Sequence, residues 1–173
     1  MKKSILISVL CLFISAGHAF SMSAVEYNNV IIGEQGKITA CMVGMAEFFG
    51  SSAEKSEKKR LELVKQCKSS LKVVKKLPAF NGNTRFRDAA ADLFSFYAQI
   101  TNKEFKEMIA ILKKGSNVTT ADVDRLTVLE KEISKKEGPL DEAFQAAQTA
   151  FAKENNFELN ENSMQKEIDN LGK

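Results

Sequence analysis

Residues 84–115 read TRFRDAAADLFSFYAQITNKEFKEMIAILKKG, and this stretch decides the fold. Phe86, Ala90, Leu93, Tyr97 and Ile100 recur at steps of four and three, which places them on one stripe of a helix. Phe94, Phe105, Met108 and Leu112 make a second stripe beside it. An apolar face this wide requires cover from more than one side, so the flanking segments must wrap around it. Asn83 or Thr84 is expected to cap its start and Gly115 its end.

The flanking segments are helical in period as well. Upstream, Ile31, Ile32, Ile38, Met42, Met45 and Phe49 predict a helix from about Ala24 to Phe49. Asn28 and Gln35 fall on the same stripe, where burial would demand hydrogen-bond partners. Solvated positions at the edge of the stripe are the expectation for both. Gly50-Ser51-Ser52 turns the chain into a second helix, with Leu61, Val64, Leu71 and Val74 as its stripe and Leu63 and Cys67 alongside. Its Lys-rich surface is interleaved with Glu54, Glu57 and Glu62, the pattern of a solvated face rather than a basic patch. Pro78 ends this helix, and Asn81-Gly82 is a strong turn signal.

Downstream, Thr119 and Asp122 read as a capping box. Leu126, Ile133, Leu140 and Ala147 keep a seven-residue step across Gly138-Pro139, and Phe144 and Phe151 continue the apolar face. That phase predicts one long helix kinked at Pro139 or two nearly collinear helices. The expected fold is all-α: an antiparallel up-down-up-down four-helix bundle, its last helix kinked near Pro139.

The first 19 residues read as a cleaved export signal, with Lys2 and Lys3, an apolar run from Ile5 to Ile14, and small residues at Ala16, Gly17 and Ala19. The run falls short of the roughly 20 residues a membrane-spanning helix needs. Cys11 follows bulky Leu10, an unsuitable context for lipid attachment. The expected organisation is therefore a signal at 1–19, a bundle at 20–155 and a polar tail at 156–173. The mature chain, without a transmembrane segment, is expected in the periplasm or at the outer surface. Loss of Lys2 and Lys3 lowers the formal charge from +3 to +1, so no nucleic-acid footprint is expected.

Signal removal also removes His18, the one His of the chain. Without His, the chemistry of His general bases, His-assisted nucleophiles, His-ligated zinc or haem, and Glu-x-x-His di-iron sites is out of reach. Cys41, Met42 and Met45 read as core sulfur rather than a copper site. Asp88 and Asp92, near Arg85 and Arg87, read as helix-start electrostatics rather than an acid–base pair. Catalytic residues, metal ligands and cofactors are not expected. Folding the first two helices about a turn near residue 53 brings Cys41 within one turn of Cys67, and an exported chain with two Cys points to a disulfide between them.

The segments YNNVIIGEQ (27–35), LPAFNGNTRFRDAAADLFSFY (77–97) and KEGPLDEAFQAAQTAFAKENNFEL (136–159) resemble a family of exported bacterial surface proteins of unknown function, first named from Leptospira. The resemblance covers nearly all of the mature chain and implies a secreted, helical, single-domain protein with no assigned activity. It implies no site residues. Leu126-Thr127-Val128-Leu129-Glu130 also resembles the LTxxQ motif of periplasmic stress chaperones, with Glu130 in place of Gln and one copy only.

The functional expectation is an exported, non-enzymatic interaction or structural protein of the cell envelope, monomeric or weakly dimeric, with an envelope or extracellular protein as partner. The alternative is a periplasmic small-ligand carrier or chaperone-like binder. Under the first reading Phe80, Asn81, Gly82, Asn83 and Arg85 mark a recognition end; the plainer reading makes them a turn that plugs the core. A sizeable cavity beside Phe86, Phe94, Tyr97, Phe144 or Phe151 would favour the carrier.

Overall fold

The computed structural model describes residues 22–49 and 52–159. The expected signal, with Cys11 and His18, lies outside them, as does the tail from residue 160. The described chain is all-helical: α1 (Ala24–Ala46), α2 (Ala53–Lys76), α3 (Arg85–Asn102), α4 (Glu104–Leu112), a short 3-10 turn (Gly115–Asn117) and α5 (Thr120–Glu154). Among the described residues no helix is long and apolar enough to cross a membrane.

α3 is the central element. Half of it is buried, including Phe86, Leu93, Phe94, Phe96, Tyr97 and Ile100, which fits an apolar face covered from several sides. It packs between α2 and α5 and touches α1 more lightly. The predicted single helix over 84–115 breaks at Lys103, where φ is −114° and ψ −72°. The cause is competition for carbonyls. Thr101 Oγ1 donates to the Tyr97 carbonyl at 2.5 Å and Asn102 Nδ2 to the Ala98 carbonyl at 2.8 Å. Arg60 Nη1 donates to the Thr101 carbonyl at 3.0 Å. Side chains thus compete with the backbone ladder, the chain changes direction, and α4 packs on α2, α3 and α5.

α1 starts with a capping box: Glu26 N–H donates to Ser23 Oγ at 3.2 Å and Ser23 N–H to the Glu26 carboxylate at 2.8 Å. Ile31, Ile38 and Met45, seven residues apart, form its buried line against α2.

The stripe predicted for α2 needs correction. Its buried line runs through Ser56, Arg60, Leu63, Cys67, Ser70 and Val74. Val64 and Leu71 are half-buried, and Leu61 is 54% exposed. Three of the buried residues are polar, and each is satisfied. Ser56 Oγ donates to the Phe48 carbonyl at 2.8 Å and Ser70 Oγ to Glu34 Oε2 at 2.6 Å. Arg60 forks onto Glu57 at 2.7 and 2.8 Å while holding the Thr101 carbonyl. Hydrogen bonding at these positions offsets desolvation, so the line need not be apolar.

Cys67 is fully buried and Cys41 half-buried at the α1–α2 interface, both as free thiols. The expected bridge is not formed in this structure. The Cys67 thiol lies against Thr101, and burial pushes it up to about 11.

α5 runs unbroken through Pro139 for 35 residues. Proline cannot donate to the Lys135 carbonyl, but both residues are exposed, so water is at hand. The seven-residue line Ile133, Leu140 and Ala147 is half-buried, while Leu129, Phe144 and Phe151 are fully buried. The helix ends in a Schellman turn: Asn156 takes φ 54°, and the Phe157 N–H donates to the Ala152 carbonyl at 3.1 Å. Phe157 packs edge-on to Phe151 at 6.0 Å, so the packed unit reaches two residues past the boundary expected at 155.

Candidate functional site

In a typical bundle the first and last helices close the ring. Here α1 and α5 meet at one end and lie apart along the rest. At the closed end Tyr27 and Phe151 stack 5.3 Å apart, and Gln148 Nε2 donates to Asn28 Oδ1 at 2.9 Å. Asn28 is therefore buried and partnered rather than solvated at the stripe's edge. Further along, a cleft of about 460 Å³ opens between the two helices.

Three helices supply one polar residue each to this cleft from their core registers. On α1 the series Asn28, Ile31, Gln35, Ile38, Met42, Met45 steps by three and four. On α3 the series is Phe86, Ala90, Leu93, Tyr97, Ile100, and on α5 it is Ile133, Glu137, Leu140, Phe144, Ala147, Phe151. Gln35, Tyr97 and Glu137 occupy positions where the pattern calls for apolar side chains, and all three line the cleft. α1 completes its wall with Thr39, Met42, Val43 and Ala46, and α5 adds Ser134, Gly138 and Asp141.

The chemistry of the cleft centres on Glu137. The Tyr97 hydroxyl donates to Glu137 Oε1 at 3.0 Å. Burial pushes the Glu137 carboxyl above its ordinary value; the Tyr97 hydrogen bond opposes this, and the Asp141 charge one turn along adds to it. Tyr97 is itself held well above the phenol range, chiefly by burial and then by the Glu137 and Asp141 charges. Gln145 Nε2 donates to Asp141 Oδ2 at 2.6 Å. Among the described residues that line the cleft none is Lys or Arg. The result is a groove of mixed character, with Met42, Val43 and Ala46 beside Gln35 and Thr39 on its α1 side and the Glu137 and Asp141 carboxylates beside Ser134 on its α5 side.

The residues expected to form a recognition end sit at the closed end. Phe80 packs 5.3 Å from Tyr27 and 5.2 Å from Phe151, capping the core. Asn81 and Gly82 form the exposed turn, with φ of 48° and 79°, and Phe80 and Asn83 pair across it through two backbone hydrogen bonds of 2.8 and 2.9 Å. Asn83 Oδ1 accepts from the Arg85 N–H at 2.9 Å, capping α3, while its Nδ2 donates to Glu154 Oε2 at 3.0 Å. Arg85 forms an ion pair with Glu154. A shallow cavity of about 220 Å³ lies beside Phe86, Ala147 and Phe151, with Asn83, Arg85 and Glu154 at its edge. The polar groups here bond mostly to one another, which describes a stitched helix end.

Other sequence candidates do not converge. Asp88 bonds to Arg87, whose Nη1 reaches the Leu77 carbonyl at 3.1 Å, and Asp92 is exposed. Cys41 lies near Lys59 and Glu62 of α2 whereas Met42 lines the cleft and Met45 is buried. The residue the sequence reading missed is Glu137. Its signal was present: a carboxylate in phase with Phe144 and Phe151 at seven-residue steps. Comparison of the chain with known protein families, with characterised proteins and with solved structures finds no match.

Proposed function

We propose that this is an exported envelope protein that binds a small ligand without catalysis, in the cleft between α1 and α5 of an up-down-up-down bundle bent near Pro139. The observation that carries the reading is the cleft itself. At about 460 Å³, with Met42, Val43 and Ala46 along one wall and polar groups from three helices converging on it, it has the size of ligand pockets. Gln35, Tyr97 and Glu137 support a binding role because they set hydrogen-bonding groups on the wall of the cleft, where a ligand can meet them. The sequence left an interaction protein and a carrier open; the cleft favours the carrier. Among the described residues the large exposed apolar side chains are Met22, Val25, Leu61, Val123, Val128 and Leu159, spread from the start of α1 over α2 and α5 to the segment after α5. Single exposed apolar residues of that sort are ordinary for any surface.

The experiment is native mass spectrometry of protein purified from its own envelope, run beside a Ser134→Leu variant. Ser134 lines the cleft from an exposed position on α5, so Leu there fills space at the cleft wall. A small-molecule adduct on the wild type that is absent from the variant supports the carrier. Adducts of equal yield on both, or a crosslinked envelope protein in place of any adduct, overturn it. Export carries a second readout: an oxidising compartment would supply the oxidant for a Cys41–Cys67 bridge, which alkylation with and without reductant detects.

A further inference from the structure

α2 carries eight Lys and one Arg against three Glu, in a chain whose formal charge is +3 overall. Its signs alternate only as far as Glu62; from Leu63 to Arg87 the chain holds no carboxylate. In that half Lys65, Lys68, Lys72, Lys75 and Lys76 recur at three- and four-residue steps, which sets them on one face of the helix. All five are exposed. The buried line through Cys67 and Ser70 faces the other way, Ser70 bonding Glu34 of α1 and Cys67 lying against Thr101 of α3. Among the described residues the ion pairs leave these five Lys out. Flanking carboxylates are engaged elsewhere: Glu34 with Lys37 and Ser70, Glu62 with Lys59, and Asp88 with Arg87. Asp92, exposed on α3, is a single charge against five.

The makeup of the line narrows the anion it suits. It has no Arg to fork onto one phosphate and no aromatic ring to stack a base. Flexible ammonium stems spread over about 16 Å of exposed helix suit a flat field of anionic headgroups instead. Apolar side chains accompany them. Leu61, one turn before Lys65 on the same face, is 54% exposed. The start of α1 adjoins the end of α2, where the Tyr27 hydroxyl donates to the Pro78 carbonyl at 3.0 Å, and it adds exposed Met22 and Val25. We propose that α2 lays this face on an anionic lipid surface, with Lys65, Lys68, Lys72, Lys75 and Lys76 over the headgroups and Leu61 at the acyl boundary. The surface is independent of the cleft. α3 packs between α2 and α5, so α5, which has more carboxylates than cations, is held away from the lipid.

The test is co-sedimentation of the purified protein with vesicles of phosphatidylcholine alone or of an equal mixture with phosphatidylglycerol, at about 0.15 M and about 1 M salt. The expected result is binding to the mixed vesicles at the lower salt, lost at the higher and absent on phosphatidylcholine. The triple variant Lys65→Gln, Lys68→Gln, Lys72→Gln is expected to weaken it about a hundredfold, since each Lys near an anionic surface is worth about fivefold. Lys131→Gln, Lys135→Gln, Lys136→Gln makes the same charge change at exposed positions of α5 and should leave binding unchanged. The salt comparison uses the wild type alone, so it stands even if a variant loses its helical circular dichroism. Equal weakening by both triple variants assigns the attraction to net charge and overturns the proposal. Equal binding to phosphatidylcholine, or binding to neither vesicle, also overturns it. Light scattering without lipid tests a second copy as the occupant: a dimer that the α2 variant dissociates overturns the lipid reading. Tighter binding of an oligonucleotide than of the mixed vesicles does the same.

Discussion

The Tyr97 hydroxyl donates to Glu137 Oε1 at 3.0 Å, joining the central helix to α5 through a buried phenol and a half-buried carboxylate. The pair has a pH signature. Because burial raises the Glu137 pKa above its ordinary 4.5, the folded chain keeps a proton that the unfolded chain releases. Stability therefore falls as pH rises from 4.5 through the raised value, and the cost of ionisation is complete above it. Glu137→Gln is expected to raise Tm at pH 7 by about 2–4 °C, the shift that accompanies about 1 kcal/mol in a chain of this size. The gain should vanish near pH 4. Thermal melts of both proteins across pH 4–8 check this.

Two glycines should respond with opposite sign. Gly82 holds φ 79° in the turn after Phe80, a conformation that costs a side chain about 1–2 kcal/mol. Gly33 lies inside α1 with open space at its Cβ, so Gly33→Ala recovers helix propensity of about 1 kcal/mol. Urea denaturation of Gly82→Ala and Gly33→Ala should move the midpoint down and up respectively.

Arg60 is 4% exposed, and it bonds the Thr101 carbonyl beside the α3–α4 break. Arg60→Met leaves that carbonyl short of a donor and Glu57 without its ion pair. A loss of about 2–4 kcal/mol is expected in equilibrium unfolding. Since Glu57 is half-buried, Glu57→Gln should cost less than Arg60→Met.

Asp122 anchors the start of α5. The Lys114 ammonium, with help from Thr119, holds its carboxyl down at about 2. A depressed carboxyl stabilises above its ordinary 3.8, and the contribution is lost as pH falls through about 2. Acid titration of wild type against Asp122→Asn should show curves that separate above pH 4 and converge near pH 2. Thr119→Ala, which removes the hydroxyl that accepts the Asp122 N–H at 3.2 Å, should cost about 1 kcal/mol at neutral pH.

Helical periodicity was a reliable guide where cores are apolar. The lines through Ile31, Ile38 and Met45, through Phe86 to Ile100, and through Phe144 and Phe151 were all readable. It misled on α2, where Ser56, Arg60 and Ser70 hold core positions through hydrogen bonds from distant segments that no local pattern reports. The break at Lys103 was hidden for the same reason, since Arg60 acts on Thr101 from 41 residues away. The cleft could be half seen. Gln35 stood out on its stripe, but Glu137 was passed over because carboxylates are common along α5, and a cavity depends on how far apart helices lie.

The closed end of the α1–α5 seam has a kinetic consequence. Asn28 and Gln148 are separated by 120 residues, so their contact closes nearly the whole described chain into one loop. Loop entropy of that kind must be overcome before the contact returns any energy, which places the seam late in folding and early in unfolding. Substitutions at Asn28, Gln148 or Tyr27 should therefore accelerate unfolding while leaving the folding rate nearly untouched. Anything that bridges the two walls acts on the same step, lengthening the lifetime of the folded protein rather than hastening its formation.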